Sequence, residues 1–146
     1  MDDNEIRNAI DPSLRDKIFD VIKAVHHAPY SRLNDIDLVS ITPDEVKCKM
    51  AVTDDKMNSI GVVHGAAIFA IADCAFAFAA NLHGEKQTAL SGNIVYHRPG
   101  VGKELVATTS KVSDTNSVST YHVTVYCDGR HIATATFVGF KLKDRK

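Results

Sequence analysis

Residues 61–81 read GVVHGAAIFAIADCAFAFAAN, and from His64 to Leu82 the apolar side chains fall on every side of a helix. A helix without a polar face is either enclosed by protein or crosses a membrane. Crossing is disfavoured here. The run is barely long enough, it has a carboxylate, Asp73, at its centre, and no second segment of this kind exists. The sequence therefore predicts a central helix wrapped by the rest of the chain. A carboxylate in such a helix is costly unless it is paired or used, so Asp73 is the first candidate for chemistry.

The remaining segments supply the wrapping. Asp11 and Pro12 offer an N-cap and a first helical position, and Leu14, Ile18, Val21, Ile22 and Val25 recur at helical spacing, so a helix is expected over 11–27. Pro29 is its expected breaker. DIDLVSI and VKCKMAV read as two strands, with Val46, Cys48, Met50 and Val52 alternating against Lys47, Lys49 and Ala51. Four longer strand-like runs follow the apolar helix: QTALSGNIVYHR, ELVATTSKVS, SVSTYHVTVYC and RHIATATFVGFKL. Between the last two, Asp128-Gly129 is a two-residue hairpin signal. No linker or repeat divides residues 1–146, which are read as one domain with a core over 35–141. Helix, two strands, one buried helix and four antiparallel strands make an α+β protein. A curled sheet of about six strands around one helix is the hotdog architecture. Such a sheet has two edges to protect, and pairing two sheets in a dimer would protect one edge of each.

Charge and cysteine usage narrow the function. The formal net charge is −1, so attraction to nucleic acid or to an anionic membrane is not the organising theme, and neither is expected as a partner. The acidic, polar start of the chain has no secretory pattern. Cys48, Cys74 and Cys127 form no CxxC pair, which suits free thiols in a reducing, cytoplasmic setting. The histidines show no metal-ligand spacing, so no metal site is expected. The adjacent His26 and His27 should point apart on a helix.

Asn58, Gly61, His64-Gly65, Asp73, Asn81, Ser91 and Arg98-Pro99 together carry a specific resemblance. The pattern resembles the hotdog-fold acyl-CoA thioesterases of the phenylacetate-pathway (PaaI) type, in the 4-hydroxybenzoyl-CoA thioesterase superfamily. The resemblance covers roughly residues 35–141. HG alone is weak, but Asn58 at its distance before HG, with Asp73 on the apolar helix after it, is specific. Many relatives have HGG where this chain has HGA, with Ala66 as the third residue; Gly65, whose amide matters, is retained.

The resemblance implies hydrolysis of a small or medium acyl-CoA, aromatic ones included, to the free acid and coenzyme A. Coenzyme A is then part of the substrate, and no separate cofactor is expected. The residues support the chemistry independently. A helix N-terminus offers unpaired N–H groups and partial positive charge, and Gly65 sits there without a side chain to block an acyl group. Its amide is the candidate oxyanion donor. Asp73 is the candidate general base or nucleophile. Asn58 would orient water or hold its loop in an Asx-type turn. His64 would contact the carbonyl region or cap the helix. Ser91 resembles the strand Ser/Thr that the family places near the acid. Cys74 is rejected as nucleophile, because neighbouring helical residues diverge by ~100° and an apolar setting keeps a thiol protonated. Candidate coenzyme A contacts are His97 and Arg98 at a strand end and the turn from Ser113 through Asn116 to Ser117. The acyl group is expected between the two central helices, lined by residues such as Phe69 and Phe76 or by the N-terminal helix.

Reach sets the assembly. Gly65 and Asp73 are eight residues apart, which on one helix is about 12 Å at roughly 1.5 Å per residue. An Asp side chain does not bridge that distance to one carbonyl. The two groups must come from different copies, as antiparallel helices across a two-fold axis provide, so the minimum unit is a homodimer and a dimer of dimers is expected. Two other readings compete. A hotdog dehydratase would need an HFPG-like entry that is absent. A non-catalytic acyl-CoA-binding module would need no carboxylate and would usually carry a partner domain, for which the N-terminal 30 residues are too short.

Overall fold

The computed structural model describes residues 1–143. Its centre is helix α4 (Gly65–Ala80), sixteen residues capped by His64 and ended at Asn81. Alanines at 70, 72, 75, 79 and 80 are all buried. Their small side chains let strands approach closely, while Ile68, Ile71, Phe76 and Phe78 fill the remaining volume. The expectation of a helix enclosed on all sides needs one correction. Ala66 is exposed, and Phe69, Asp73 and Ala77 are half-buried. These four lie three or four residues apart and form one uncovered row.

The sheet that wraps α4 comprises β1 (Ile36–Ile41), β2 (Val46–Ala51), β3 (Gln87–Tyr96), β4 (Glu104–Asp114), β5 (Val118–Cys127) and β6 (Arg130–Lys141). All neighbours are antiparallel, in the order β1-β2-β4-β5-β6-β3. Inward residues alternate with outward ones, most cleanly on β5, where Ser119, Tyr121, Val123, Val125 and Cys127 are buried. Register shifts at Leu38/Ser40, Ala89/Ser91, Lys111/Ser113 and Val125/Tyr126 interrupt the ladders. Such bulges bend and twist a sheet, which curls it around the helix. The Asp128-Gly129 turn has φ 45° and 79°, the pair of positive values a two-residue hairpin requires.

Strand β3 closes one end of the sheet order. Its first and last residues meet the two ends of α4: Gln87 Nε2 donates to Ala80 O (2.7 Å) and the Tyr96 hydroxyl donates to Gly65 O (3.1 Å). Midway, Gly92 lets the strand pass over aromatic rings. A Cβ there would stand 2.7 Å from Phe137 and 3.2 Å from Phe69. Eight of the ten β3 residues are nevertheless exposed, Leu90 and Val95 among them, because only β6 flanks the strand.

The N-terminal layer differs from its sequence reading. The polar opening stretch forms helix α1 (Asp3–Ala9), started by a capping box in which Glu5 N–H donates to Asp2 Oδ1 (2.9 Å) and Asp2 N–H to Glu5 Oε2 (2.6 Å). One apolar residue, Ile6, anchors it. The expected 11–27 helix begins later, as α2 (Arg15–His26). Asp11 does not cap it; its Oδ1 accepts from Ser13 N–H (2.8 Å) in a local Asx turn. Pro29 ends nothing on its own but opens the short helix α3 (Pro29–Leu33). His26 and His27 do not diverge fully, since α2 stops between them; their rings meet edge-on at 5.2 Å.

Candidate functional site

The loop before α4 is built by Asn58. Its Oδ1 accepts from Ile60 N–H (3.0 Å) and Val62 N–H (3.2 Å), and its own N–H donates to Val62 O (2.8 Å). Of its two sequence-based roles, holding the loop is the one its oxygen performs. His64 is likewise occupied with the helix start: Nδ1 accepts from Ala66 N–H (3.0 Å). In the neutral ring the proton therefore sits on Nε2. The preceding peptide is left open. Gly65 N–H has no hydrogen-bond acceptor among the described residues, so a bare donor stands at the positive end of the helix.

A cavity of about 310 Å³ opens beside this amide, lined by Val63, Gly65, Ile68, Tyr96, His97 and Arg98 among others. Tyr96 forms one wall. A Cβ on Gly65 would lie 3.3 Å from its ring and hydroxyl, so any larger residue would displace the tyrosine. Sequence reasoning passed over Tyr96. The available signal was an aromatic residue closing a strand directly before His97-Arg98. A larger cavity, about 500 Å³, lies between the N-terminal helices and β1; neither Gly65 nor Asp73 lines it.

Asp73 is the ninth residue of α4 and belongs to its uncovered row. Its carboxylate makes no hydrogen bond or ion pair among the described residues, and burial alone raises its pKa from the ordinary carboxylate value. Cys74, one position on, is buried against Ser31 Oγ (3.5 Å), and burial raises its thiol pKa too. Ser91 lies in the middle of β3, opposite Val138 beside the Ala89/Ser91 register shift. Its neighbour Gly92 faces the core, where a Cβ would meet Phe137 and Phe69, so Ser91 lies on the exposed outer face of the strand, away from α4 of its own protomer.

The coenzyme A candidates separate into two groups. His97 and Arg98 border the Gly65 cavity. His97 Nε2 lies 3.0 Å from Thr134 Oγ1, and Arg98 donates one guanidinium N–H to His131 O (2.9 Å), leaving its other donors free. Ser113, Asn116 and Ser117 belong to the β4–β5 hairpin at the opposite end of α4. Thr115 organises that turn, with Oγ1 donating to Val118 O (2.9 Å). Ser117 O accepts from Lys141 N–H (2.9 Å). Nearby, Lys141 Nζ pairs with Glu85 and Asp114, both at 2.8 Å. One protomer does not bring the two groups together. Among the described residues, no three His, Cys, Asp or Glu side chains are grouped to hold a metal.

A family model described as the thioesterase superfamily matches residues 60–134, half of the 146-residue chain, from just after Asn58 to the first part of β6. The chain belongs to that superfamily. A protein of Archaeoglobus fulgidus that bears a provisional esterase name is 34% identical over 90 residues, 61% of this chain and 58% of that one. The acyl-coenzyme A thioesterase PaaI of Escherichia coli is 32% identical over 77 residues, 53% of this chain and 55% of its own length. Both matches thus span less than two thirds of the relative. The solved structure of E. coli PaaI, from the phenylacetic acid degradation operon, superposes with a TM-score of 0.82 at 23% identity, over 89% of this chain and 96% of that one. The TT0310 protein of Thermus thermophilus is 32% identical with a TM-score of 0.74, over 80% and 99% of the two chains. The hotdog architecture expected from the sequence is the one observed.

Proposed function

We propose that this thioesterase-superfamily chain hydrolyses acyl-coenzyme A thioesters of small or medium acyl groups, aromatic ones included. Gly65 N–H receives the thioester oxygen, and its charge is stabilised by the helix terminus as the carbonyl carbon becomes tetrahedral. As general base, Asp73 takes a proton from water as the water oxygen bonds to that carbon; the C–S bond then breaks, coenzyme A leaves as thiolate and the free acid remains. As nucleophile, Asp73 bonds to the carbon itself; loss of the thiolate then leaves an acyl–Asp73 anhydride, and water adds to it to release the acid and restore the carboxylate. A carboxylate with a raised pKa is better matched to proton transfer near neutral pH than an ordinary one. His97 and Arg98 would contact the phosphate-bearing part of the substrate. The observation that carries the reading is a partnerless Asp73 on the same helix as a free Gly65 amide.

The proposed mechanism calls for two chains. Gly65 and Asp73 are the first and ninth residues of one helix, about 12 Å apart along its axis at roughly 1.5 Å per residue. A second protomer whose α4 runs antiparallel would bring its Asp73 to this Gly65. The uncovered row on α4 and the free edge of β3 are the surfaces such a partner would cover. It would also bring the Ser113–Ser117 turn of one chain toward the His97–Arg98 end of the other.

The test is a panel of aliphatic, aromatic and hydroxylated acyl-coenzyme A substrates, followed by free thiol release, with the wild type and Asp73→Asn. Turnover of at least one substrate by the wild type, and its collapse in the variant, is expected. Binding without turnover in the wild type would leave only a binding module.

A further inference from the structure

Gly65 N–H can act as an oxyanion donor only if its peptide keeps one orientation, and glycine is the residue least able to hold one by itself. The next peptide along, Gly65–Ala66, is restrained at both ends. Its N–H donates to His64 Nδ1 (3.0 Å), and its carbonyl accepts the Tyr96 hydroxyl (3.1 Å). The first restraint is local, within one helix cap. The second reaches across 31 residues and ties the helix start to the last residue of β3. The Tyr96 ring meanwhile lies so close to Gly65 that a methyl group there would touch it at 3.3 Å. Ring contact limits where the glycine can move, and the hydroxyl adds a second donor to a carbonyl that also closes the first turn of the helix.

From this geometry we infer that the Tyr96 hydroxyl is a positioning group that holds the Gly65 amide in register for the developing oxyanion. The inference rests on the thioesterase reading above and adds a residue to it. A donor slightly out of line still tolerates a ground-state carbonyl. It stabilises the tetrahedral oxyanion less, because that charge forms only in the transition state. The loss should therefore appear in kcat rather than in KM. Tyr96→Phe is the informative variant, since it keeps the ring against Gly65 and removes only the hydroxyl.

The experiment measures kcat and KM for Tyr96→Phe and wild type on the best substrate of the panel. It also records the oligomeric state and melting temperature of both and, by NMR, the exchange rate of the Ala66 amide, the hydrogen-bonded N–H of the same peptide. The expected result is a fall in kcat of about tenfold, KM within about twofold, the same assembly, and faster Ala66 amide exchange. Wild-type kcat in the variant, or a change confined to KM, would overturn the inference, the latter making Tyr96 a wall of the binding cavity. Unaltered Ala66 exchange with reduced kcat would also overturn it, since the hydroxyl would then act otherwise than through this peptide. A wild type inactive on every thioester would instead remove the thioesterase reading on which the inference stands.

Discussion

The two ends of α4 are both made of small and apolar residues but have opposite hydrogen-bond economies. At the C-terminal end, three side chains from three different places cover the last carbonyls. Asn81 Nδ2 donates to Ala77 O (2.7 Å), the Tyr121 hydroxyl to Ala79 O (3.2 Å) and Gln87 Nε2 to Ala80 O (2.7 Å). At the N-terminal end, His64 covers one N–H and the Gly65 N–H stays bare beside a cavity. The carboxylates divide the same way. Near the C-terminal end, Asp114 is held below its ordinary range first by its bond to Lys141 and then by Lys111. Asp73, on the row that continues from the open end, is raised by burial with nothing to offset it. Among the described residues, one end has its polar groups paired within the protomer, while the other leaves Gly65 N–H and the Asp73 carboxylate without partners.

The largest expected effect is at Asp73. Asp73→Asn should lower kcat by about 10²–10⁴-fold, the usual range for a lost acid–base group, while the melting temperature stays level or rises, because a desolvated charge has been removed. Retained turnover would place the chemistry elsewhere. Next comes Gly65→Ala. Alanine should favour an isolated helix by up to about 1 kcal/mol, yet its Cβ presses on Tyr96. Activity should fall by roughly 10-fold or more through the displaced amide, with the fold intact by circular dichroism.

At the C-terminal end the signs reverse. Gln87→Leu strands Ala80 O and removes the partner of Ser119 Oγ (2.5 Å). Chemical denaturation should show a loss of about 1–3 kcal/mol, with kcat per folded protein retained. The smallest effect concerns pH. Asp73 has a folded pKa above its unfolded value. Protonation therefore favours folding, fully below the ordinary pKa of 3.8, and the benefit is lost as pH rises through the raised value. Asp114 has a lowered folded pKa, so its stabilisation is present above 3.8 and is lost as pH falls through the lowered value. Melting curves at neutral pH should thus show Asp114→Asn slightly destabilised, by no more than about 1 kcal/mol for so exposed a cluster, and Asp73→Asn not destabilised. The same order for both variants would break the contrast between the two ends.

Much of this arrangement was legible in the chain. An apolar run with a single acid announced a wrapped helix, and Asp128-Gly129 announced its hairpin. The separation of Gly65 from Asp73 along one helix already required a second copy for any shared chemistry. These are local signals, carried by periodicity and by residues whose backbone preferences are strong. The misreadings were local too. Asp11 looked like a cap because Pro12 followed it, but its side chain found Ser13 first. The opening helix was missed because a capping box and one buried isoleucine leave little apolar periodicity to see.

What the sequence by itself determined was the central helix, the acid on it and the bare glycine at its start, because each depends on neighbours a few positions away. Only the tertiary structure decided that Tyr96 meets Gly65, that Ser91 falls on the outer face of β3, and that the two coenzyme A candidate groups sit at opposite ends of α4. Those placements follow from the strand order and from the bulge that sets the β3 register against β6. A register shift of one residue leaves the hydrophobic alternation of each segment unchanged on paper yet moves every side chain to the other face.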